Sequence, residues 1–261
     1  MRVVVAGAGG VAGRALVPLL ARHHQVVGLD RPEVAPADGV QWLVADIRDW
    51  RGLQNALAAV HPVDAVVNLV MAPNAGLGDK DQARMHFDAN VTGSWTLLNE
   101  ALAGGVRRFV YVSTLNVYGD LTVGVHDESD DLLVNQTRDV VEPYGLTKLL
   151  AERVLEYICA TRDATGVALR LDGLHVPGVM ERAGTHIEDL ADAIHAALTQ
   201  PLTGFATCNL TARPAHRNTP TDRAKELLGW TAQHTFDTEP EAGKWTTPLT
   251  PPLGSVPLPD L

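Results

Sequence analysis

Cysteine is nearly absent from this 261-residue sequence, aromatic residues make up only 5 %, and cations are outnumbered by anions. Cys159 and Cys208 lie far apart, with no Cys-x-x-Cys and no histidine at zinc-ligand spacing. Neither a disulfide framework nor a metal centre is therefore expected, and a reducing cytoplasm fits best. The balance of 21 Lys+Arg against 31 Asp+Glu gives a net charge of -10. Nucleic acid is excluded as an expected partner, because backbone binding needs clustered cations. No run approaches the about 18 apolar residues of a membrane span. The apolar start at Val3 to Ala6 stops at Gly7, too short for the core of a secretory leader. The chain reads as an acidic globule with ample length for a sizeable core, and its 23 glycines, 16 prolines and 4 tyrosines carry the information.

Apolar runs at residues 2–6, 25–29, 40–45, 65–70, 108–113 and 167–171 alternate with helical patterns at 11–23, 50–59, 80–103 and 144–165. Runs without polar alternation suit strands covered on both faces. The alternation predicts an α/β fold with a doubly wound parallel sheet of the Rossmann type. After Gly178 the pattern loosens into a short loop, a helix near 187–199, a strand near 206–210 and a helix near 221–228. The last thirty residues hold Pro240, Pro248, Pro251, Pro252, Pro257 and Pro259, a density that forbids regular helix or central strand. We expect a dinucleotide-binding core over 1–165. Residues 166–261 form a short, truncated C-terminal substrate portion with a Pro-rich tail, interleaved with that core.

Gly7, Gly9, Gly10 and Gly13 lie between the first strand and the first helix, whose first residue is Val11. Glycine is needed where the backbone turns with positive φ, approaches a pyrophosphate, or lets a helix pack close to a strand. The helix N-terminus offers free N–H groups to phosphates. Asp30 ends the second strand and is placed to accept hydrogen bonds from ribose hydroxyls, which favours NAD over NADP. Arg31 beside it either softens the repulsion of a 2'-phosphate or is solvated. Asp46 and Ile47 end the third strand; Asp46 either caps the adenine edge or N-caps the helix beginning at Trp50.

Tyr144 and Lys148 stand four residues apart at the head of a predicted helix, on one face. A phenol of pKa near 10 is a poor base at neutral pH, so it needs a cation nearby. Upstream, the strand from Arg108 ends in Val112-Ser113-Thr114, hydroxyl residues at the carboxyl edge of the sheet, where doubly wound folds bind ligands.

These residues carry a resemblance. The glycine turn, Asp46-Ile47, Asn90-Val-Thr-Gly-Ser94, Ser113-Thr114-Leu-Asn-Val-Tyr118-Gly119, Tyr144 to Lys148, His186-Ile-Glu-Asp189 and Leu228-Gly229-Trp230 follow one another in consistent order over about residues 1 to 230. Together they resemble the extended short-chain dehydrogenase/reductases, the NAD-dependent epimerase/dehydratase family. The resemblance implies Tyr144 as catalytic acid/base, Lys148 as the group that lowers its pKa and holds the nicotinamide ribose, and Thr114 as the hydrogen-bond partner of the reacting oxygen. Ser113 is then a structural strand-end residue. It further implies cofactor contacts at Leu69, Val70, Met71 and Val112, with Asn90 supporting the cofactor-side loops. Asn68-Leu69-Val70-Met71 stands where the family usually has His-Leu-Ala-Ala, which makes the pocket bulkier there.

Two departures bear on the substrate. Few residues separate Pro177-Gly178 from Thr185, leaving little chain to clasp a nucleoside diphosphate, so a small-molecule substrate is expected. Leu115-Asn116 replaces the Asp-Glu pair of the family's 4,6-dehydratases, which disfavours that reaction. The compact layout resembles uronate dehydrogenase-like members. That comparison places Arg182 at a substrate carboxylate, where its planar fork suits two parallel bonds, with Asn116 and His175 near ring hydroxyls. Arg182 read without it is a solvated partner of Glu181. The expected activity is hydride transfer between NAD and a small hydroxylated substrate such as a sugar or sugar acid. The alternatives are an epimerase with tightly held NAD and, further off, a non-catalytic dinucleotide sensor. The resemblance also implies a homodimer paired through the helices at 80–103 and 144–165.

Overall fold

A computed structural model describes residues 1–36, 39–72, 80–119, 121, 125–130, 143–181, 184–212 and 219–236, without the side chains of Lys80, Gln82 and Glu181. Strands β1 (Arg2–Ala6), β2 (Gln25–Asp30), β3 (Gln41–Val44), β4 (Ala65–Asn68), β5 (Arg108–Thr114) and β6 (Thr165–Leu171) join a seven-stranded sheet. Its last member is the strand at Phe205–Leu210. The spatial order runs from that strand through β6, β5, β4, β1 and β2 to β3, and every pairing is parallel. The order reverses between β1 and β4, the crevice where doubly wound sheets take their ligands.

Side-chain alternation along each strand divides the core. Val3 and Val5 of β1 face Leu16, Val17 and Leu20 of α1 (Val11–Leu20). Val4 and Ala6 face the opposite layer, with Leu53 of α2 (Trp50–Ala58). Both faces are covered, which explains why the strands are apolar throughout.

The predicted helix at 80–103 is three consecutive pieces: α3 (Lys80–His86), a π-helical turn (Phe87–Gly93) and α4 (Ser94–Ala103). Apolar periodicity does not report this change, because the π turn is set by Asn90, whose side chain is drawn inward onto neighbouring segments. Gly93 allows it: a Cβ there would lie 2.7 Å from Ile47. The next helix, α5 (Tyr144–Thr161), stops before 165 because β6 begins at Thr165 and pairs with Arg108.

The segment after β6, including the short loop expected after Gly178, contributes a second sheet. Its strands are β7 (Leu174–Val176), β8 (Met180–Glu181) and β9 (Thr185–His186), with β7 central, antiparallel to β8 and parallel to β9. Pieces of two or three residues are too short to leave a period in the sequence. Helix α6 (Ile187–Thr199) follows, then β10 (Phe205–Leu210) returns to the main sheet, and α7 (Asp222–Leu228) ends at Gly229 in the left-handed conformation. Leu190 and Ile194 of α6 join the α1 side of the core. The Pro-rich tail lies outside the described residues.

Candidate functional site

The loop after β1 has the geometry of a phosphate cradle. Gly7 has φ +81°, and a Cβ on it would stand 3.1 Å from the Leu69 and Val70 backbone. A Cβ on Gly13 would lie 2.3 Å from the Gly7 carbonyl oxygen, so side chains at these two positions would push the loop off the sheet edge. Gly10 N-caps α1 without a side-chain hydrogen bond, and Gly10 and Val11 are exposed. The first-turn N–H groups of α1 therefore face outward for an anion. Asp30 fixes the loop from the next strand: Oδ2 accepts from Gly9 N at 2.8 Å and Oδ1 from Arg31 N at 2.8 Å. Its remaining lone pairs stay available for ribose hydroxyls. Arg31 is exposed. Arg14, which the sequence reading passed over, braces the loop through Gly9 O at 3.0 Å and Ala35 O at 2.9 Å.

Asp46 does not N-cap α2. Asp49 does, accepting from Arg51 N, while Asp46 grips the Arg48 guanidinium at 2.5 Å. That contact is the main cause holding the Asp46 carboxyl below its usual range. Ile47 is 5 % exposed and packs in the core of the α2 layer.

At the end of β4, Leu69 and Val70 are half-buried and Met71 is exposed. Asn68 holds this corner by donating to Ser94 Oγ at 2.9 Å and accepting from Val70 N at 3.0 Å. Asn90 ties it to α5. Its Oδ1 accepts from Ala72 N, and its amide donates to Thr147 Oγ1, both at 3.0 Å, while Thr147 Oγ1 donates to Tyr144 O. Asn90 thus braces the first turn of α5 from inside the fold.

Thr114, the last residue of β5, caps a 3-10 turn (Leu115–Tyr118) and accepts from Asn116 N at 3.2 Å. Its hydroxyl also meets the Tyr144 phenol. Burial pushes that phenol up to about 12, and the Thr114 hydrogen bond pulls the other way. Helix α5 reaches the turn closely because residue 145 is glycine: a Cβ there would be 2.6 Å from Asn116 O. One helical turn later, Lys148 is 3 % exposed. It donates to Val112 O at 2.6 Å and lies 4.5 Å from the Tyr111 ring centroid. Desolvation lowers its ammonium to about 7.

Ser113 takes no part in this pair. It donates to Glu152 Oε1 at 2.5 Å. Glu152 is gripped by Arg170 at 2.7 Å, and both are almost fully buried. Arg170 continues to Tyr118, whose hydroxyl donates to Asn209 Oδ1 at 2.9 Å. This polar chain joins β5, α5, β6 and β10 beneath the sheet edge. The sequence offered only separate polar residues in apolar runs as its signal.

On the substrate side, Asn116 is half-buried. His175 stacks on His186 at 5.3 Å and meets Phe236 edge-on at 4.9 Å. Arg182 lies outside the described residues. His186 stacks in turn on His234 at 3.6 Å, and His234 lies between Glu188 at 3.1 Å and Asp189 at 2.9 Å. His186, Glu188 and His234 bring possible metal donors within 4.8 Å. However, the two imidazoles are nearly parallel, 14° apart, so their in-plane lone pairs do not converge on one ion. Asp189 also accepts from Gln233 N, and its carbonyl accepts from Trp230 Nε1 at 2.8 Å. The two late sequence motifs are therefore a clamp on one another.

The glycine cradle, the uncapped α1 N-terminus and Asp30 fit a dinucleotide. Residues 3–183 match the NAD dependent epimerase/dehydratase family. UDP-glucose 4-epimerase of Rhizobium meliloti is 33 % identical over 171 residues, covering 64 % of this chain and 50 % of that protein. The chain spans about half the length of the UDP-glucose 4-epimerases it matches. The 3-diazoavenalumate denitrifying reductase of a Streptomyces species is 28 % identical, covering 91 % of this chain and 90 % of that protein. Among solved structures, a uronate dehydrogenase variant from Agrobacterium tumefaciens complexed with NAD superposes with a TM-score of 0.73 at 17 % identity. It covers 90 % of this chain and 85 % of that one, a likeness of fold. The chain belongs to the NAD dependent epimerase/dehydratase family, and NAD is its cofactor.

Proposed function

We propose that this chain is an oxidoreductase that transfers a hydride between NAD and a small hydroxylated substrate such as a sugar or sugar acid. The supporting observation is the contact of Tyr144 with Thr114 at the carboxyl edge of β5, with Lys148 one turn along the same helix. When bound, NAD supplies the hydride-transferring group. The chain supplies the rest. Thr114 orients the reacting oxygen, and the Tyr144 phenol oxygen carries its proton. A phenol pushed up to about 12 is in its acid form at neutral pH, ready to protonate a carbonyl oxygen during reduction. Oxidation needs the phenolate, which a nearby cation favours, and in this reading Lys148 is that cation. Asn90 holds the first turn of α5 in register with Thr114.

Gly7, Gly9, Gly10, Val11 and Gly13 hold the pyrophosphate in this reading, and Asp30 the adenosine ribose. Residues 1–165 supply the cofactor portion, and 166–261 the interleaved substrate portion. The test is incubation with NAD and a panel of small sugars and sugar acids, followed by absorbance of NADH. Its accumulation supports the reading. An inverted sugar without NADH assigns the epimerase reaction instead.

The same reading includes a homodimer. Phe87, Trp95, Leu146 and Tyr157 are large apolar side chains left exposed on the π turn, α4 and α5, with Trp95 and Tyr157 rings 6.3 Å apart. A sedimentation run showing only a 28.0 kDa species rejects pairing through this face. No described helix is long and apolar enough to cross a membrane. The acidic net charge argues against nucleic acid, and two buried free cysteines suit the cytoplasm.

A further inference from the structure

Helix α5 meets β5 at three successive turns. Tyr144, Lys148 and Glu152 follow one another at four-residue steps along one helix face, and all three are buried. Tyr144 meets the Thr114 hydroxyl, Lys148 donates to Val112 O, and Glu152 accepts from the Ser113 hydroxyl at 2.5 Å. The proposed mechanism uses the first two contacts. The third falls on a residue that has no part in that mechanism.

The strand register shows what Glu152 holds. Ser113 of β5 pairs with Arg170 of β6, and Arg170 with Asn209 of β10, so three polar residues form one row across three parallel strands. The next row is Thr114, Leu171 and Leu210, at the ligand-binding edge. Arg170 donates to the Glu152 carboxylate from Nε at 3.1 Å and from Nη2 at 2.7 Å, and from Nη1 to the Tyr118 hydroxyl at 2.9 Å. Tyr118 in turn donates to Asn209 Oδ1. Tyr118 is the last residue of the 3-10 turn that Thr114 caps. One carboxylate therefore holds the residue before Thr114 directly, and the far end of the turn after it through Arg170.

Net stability does not account for this arrangement. Apolar residues of similar volume match or exceed a buried ion pair, whereas a planar guanidinium with three donors committed sets distances and angles. The Glu152 charge also opposes the desolvation of the Lys148 ammonium. We propose that Glu152 is a positioning residue that keeps the Thr114 hydroxyl within reach of the Tyr144 phenol by gripping the Thr114-capped turn on both sides. This rests on the reading that Thr114 and Tyr144 act on the substrate. A misplacement of about 1 Å between reacting groups costs about 10²-fold in rate.

The test separates position from stability. Tyrosine isotope-labelled at Cζ reports the hydrogen bond of its phenol by NMR, and the four tyrosines of the chain are assigned from Phe variants. Thr114→Val gives the Tyr144 resonance without its partner. Ser113→Ala and Tyr118→Phe each release one side of the turn while the ion pair stays. Arg170→Met with Glu152→Leu releases both sides and strands no charge. In all three the Tyr144 resonance is expected to move toward that of Thr114→Val, furthest in the double variant, even though its urea midpoint stays near wild type. Turnover of glucose or glucuronate with NAD, read as NADH, is expected to fall at least tenfold, with KM and the NAD Kd within a few-fold. Ser113→Ala and Tyr118→Phe decide the matter where the double variant does not fold. A wild-type resonance in these variants, or a displaced one with unchanged turnover, overturns the proposal. The resonance needs no substrate, so the two readings fail separately. A displaced resonance in a chain that forms no NADH fails only the oxidoreductase reading, and NADH with an undisplaced resonance fails only the role of Glu152.

Discussion

The Lys148 ammonium lies 4.5 Å from the centroid of the Tyr111 ring and donates to the carbonyl of the next residue, Val112, at 2.6 Å. Glu152, one turn further along α5, is gripped by Arg170 and Ser113. The cation on which the proposed chemistry depends is thus held by an aromatic face and a peptide oxygen, in a site where desolvation lowers it to about 7. Among the described residues the Tyr111 hydroxyl has no hydrogen-bond partner, so the ring face is the part that serves Lys148.

Removing the ring is expected to lower the Lys148 titration further. A desolvated cation–π contact contributes about 2 kcal/mol, equivalent to more than one pKa unit. In Tyr111→Leu the lysine Cε resonance, followed by NMR against pH, should titrate at least one unit below the wild-type midpoint. Tyr111→Phe keeps the ring and should leave it in place. Equal midpoints in all three proteins would show that the ring does not hold the charge.

Tyr144→Phe removes the proton carrier while keeping the ring that fills the site. Turnover is expected to fall about 10²–10⁴-fold, the usual range for loss of a general acid/base. The NAD Kd, read by fluorescence titration, is expected to stay within a few-fold. Near-normal turnover would remove Tyr144 from the proposed mechanism.

In the proposed reading Asp30 holds the adenosine ribose, so its carboxylate repels a 2'-phosphate. NAD is expected to bind at least tenfold more tightly than NADP, and Asp30→Ser should narrow that ratio. Its Gly9 contact makes a control necessary, so thermal melting must show the loop variant still folded. Tighter binding of NADP by the wild-type chain would assign Asp30 to loop support alone.

How far these features can be read from the sequence depends on how local their causes are. The strands of the main sheet are legible because each is an apolar run covered on both faces. Gly7 and Gly13 are legible because a tight turn and a close approach demand glycine at particular steps. Tyr144 and Lys148 share a helix face, so spacing alone pairs them. Asn90 looks like an ordinary helix amide, and only its contacts with Ala72 and Thr147 show why the helix widens there. Asp46 was a plausible cap by position, but Asp49 is the residue before Trp50 and takes the role. Glu152 and Arg170 are 18 residues apart on different elements, and no local pattern joins them. Asp172 reads as a strand terminus, and its partner Thr185 lies 13 residues on, in another element.

The Glu152–Arg170 pair gives a stability prediction. Arg170→Met leaves a buried carboxylate without its cation, and breaking such a pair costs about 3–5 kcal/mol. Replacing both, as Arg170→Met with Glu152→Leu, removes the stranded charge and should recover most of that loss. Urea denaturation of the two variants measures the difference. A double variant as unstable as the single one would mean that the wider chain through Tyr118 and Asn209, rather than the unpaired charge, sets the cost.

His24 is 8 % exposed, and its Nε2 lies 3.0 Å from His195 Nδ1. Burial first, then His195, lowers its pKa from 6.5 to about 4. Between these values the unfolded chain binds the His24 proton and the folded chain does not, so stability rises with pH there and is lost as pH falls from 6.5 toward 4. The slope from this group approaches about 1.4 kcal/mol per pH unit. Asp172, raised to about 7 by desolvation, works in the opposite sense: the folded chain holds its proton longer, so this group alone favours folding as pH falls from 7. The net curve therefore hides both, and the comparison must be with a variant. His24→Gln carries no titrating group and should show a shallower loss of urea stability than wild type from pH 6.5 to 4, with the two curves converging in slope above pH 7. Parallel curves across the whole range would show that His24 protonates freely in the folded chain.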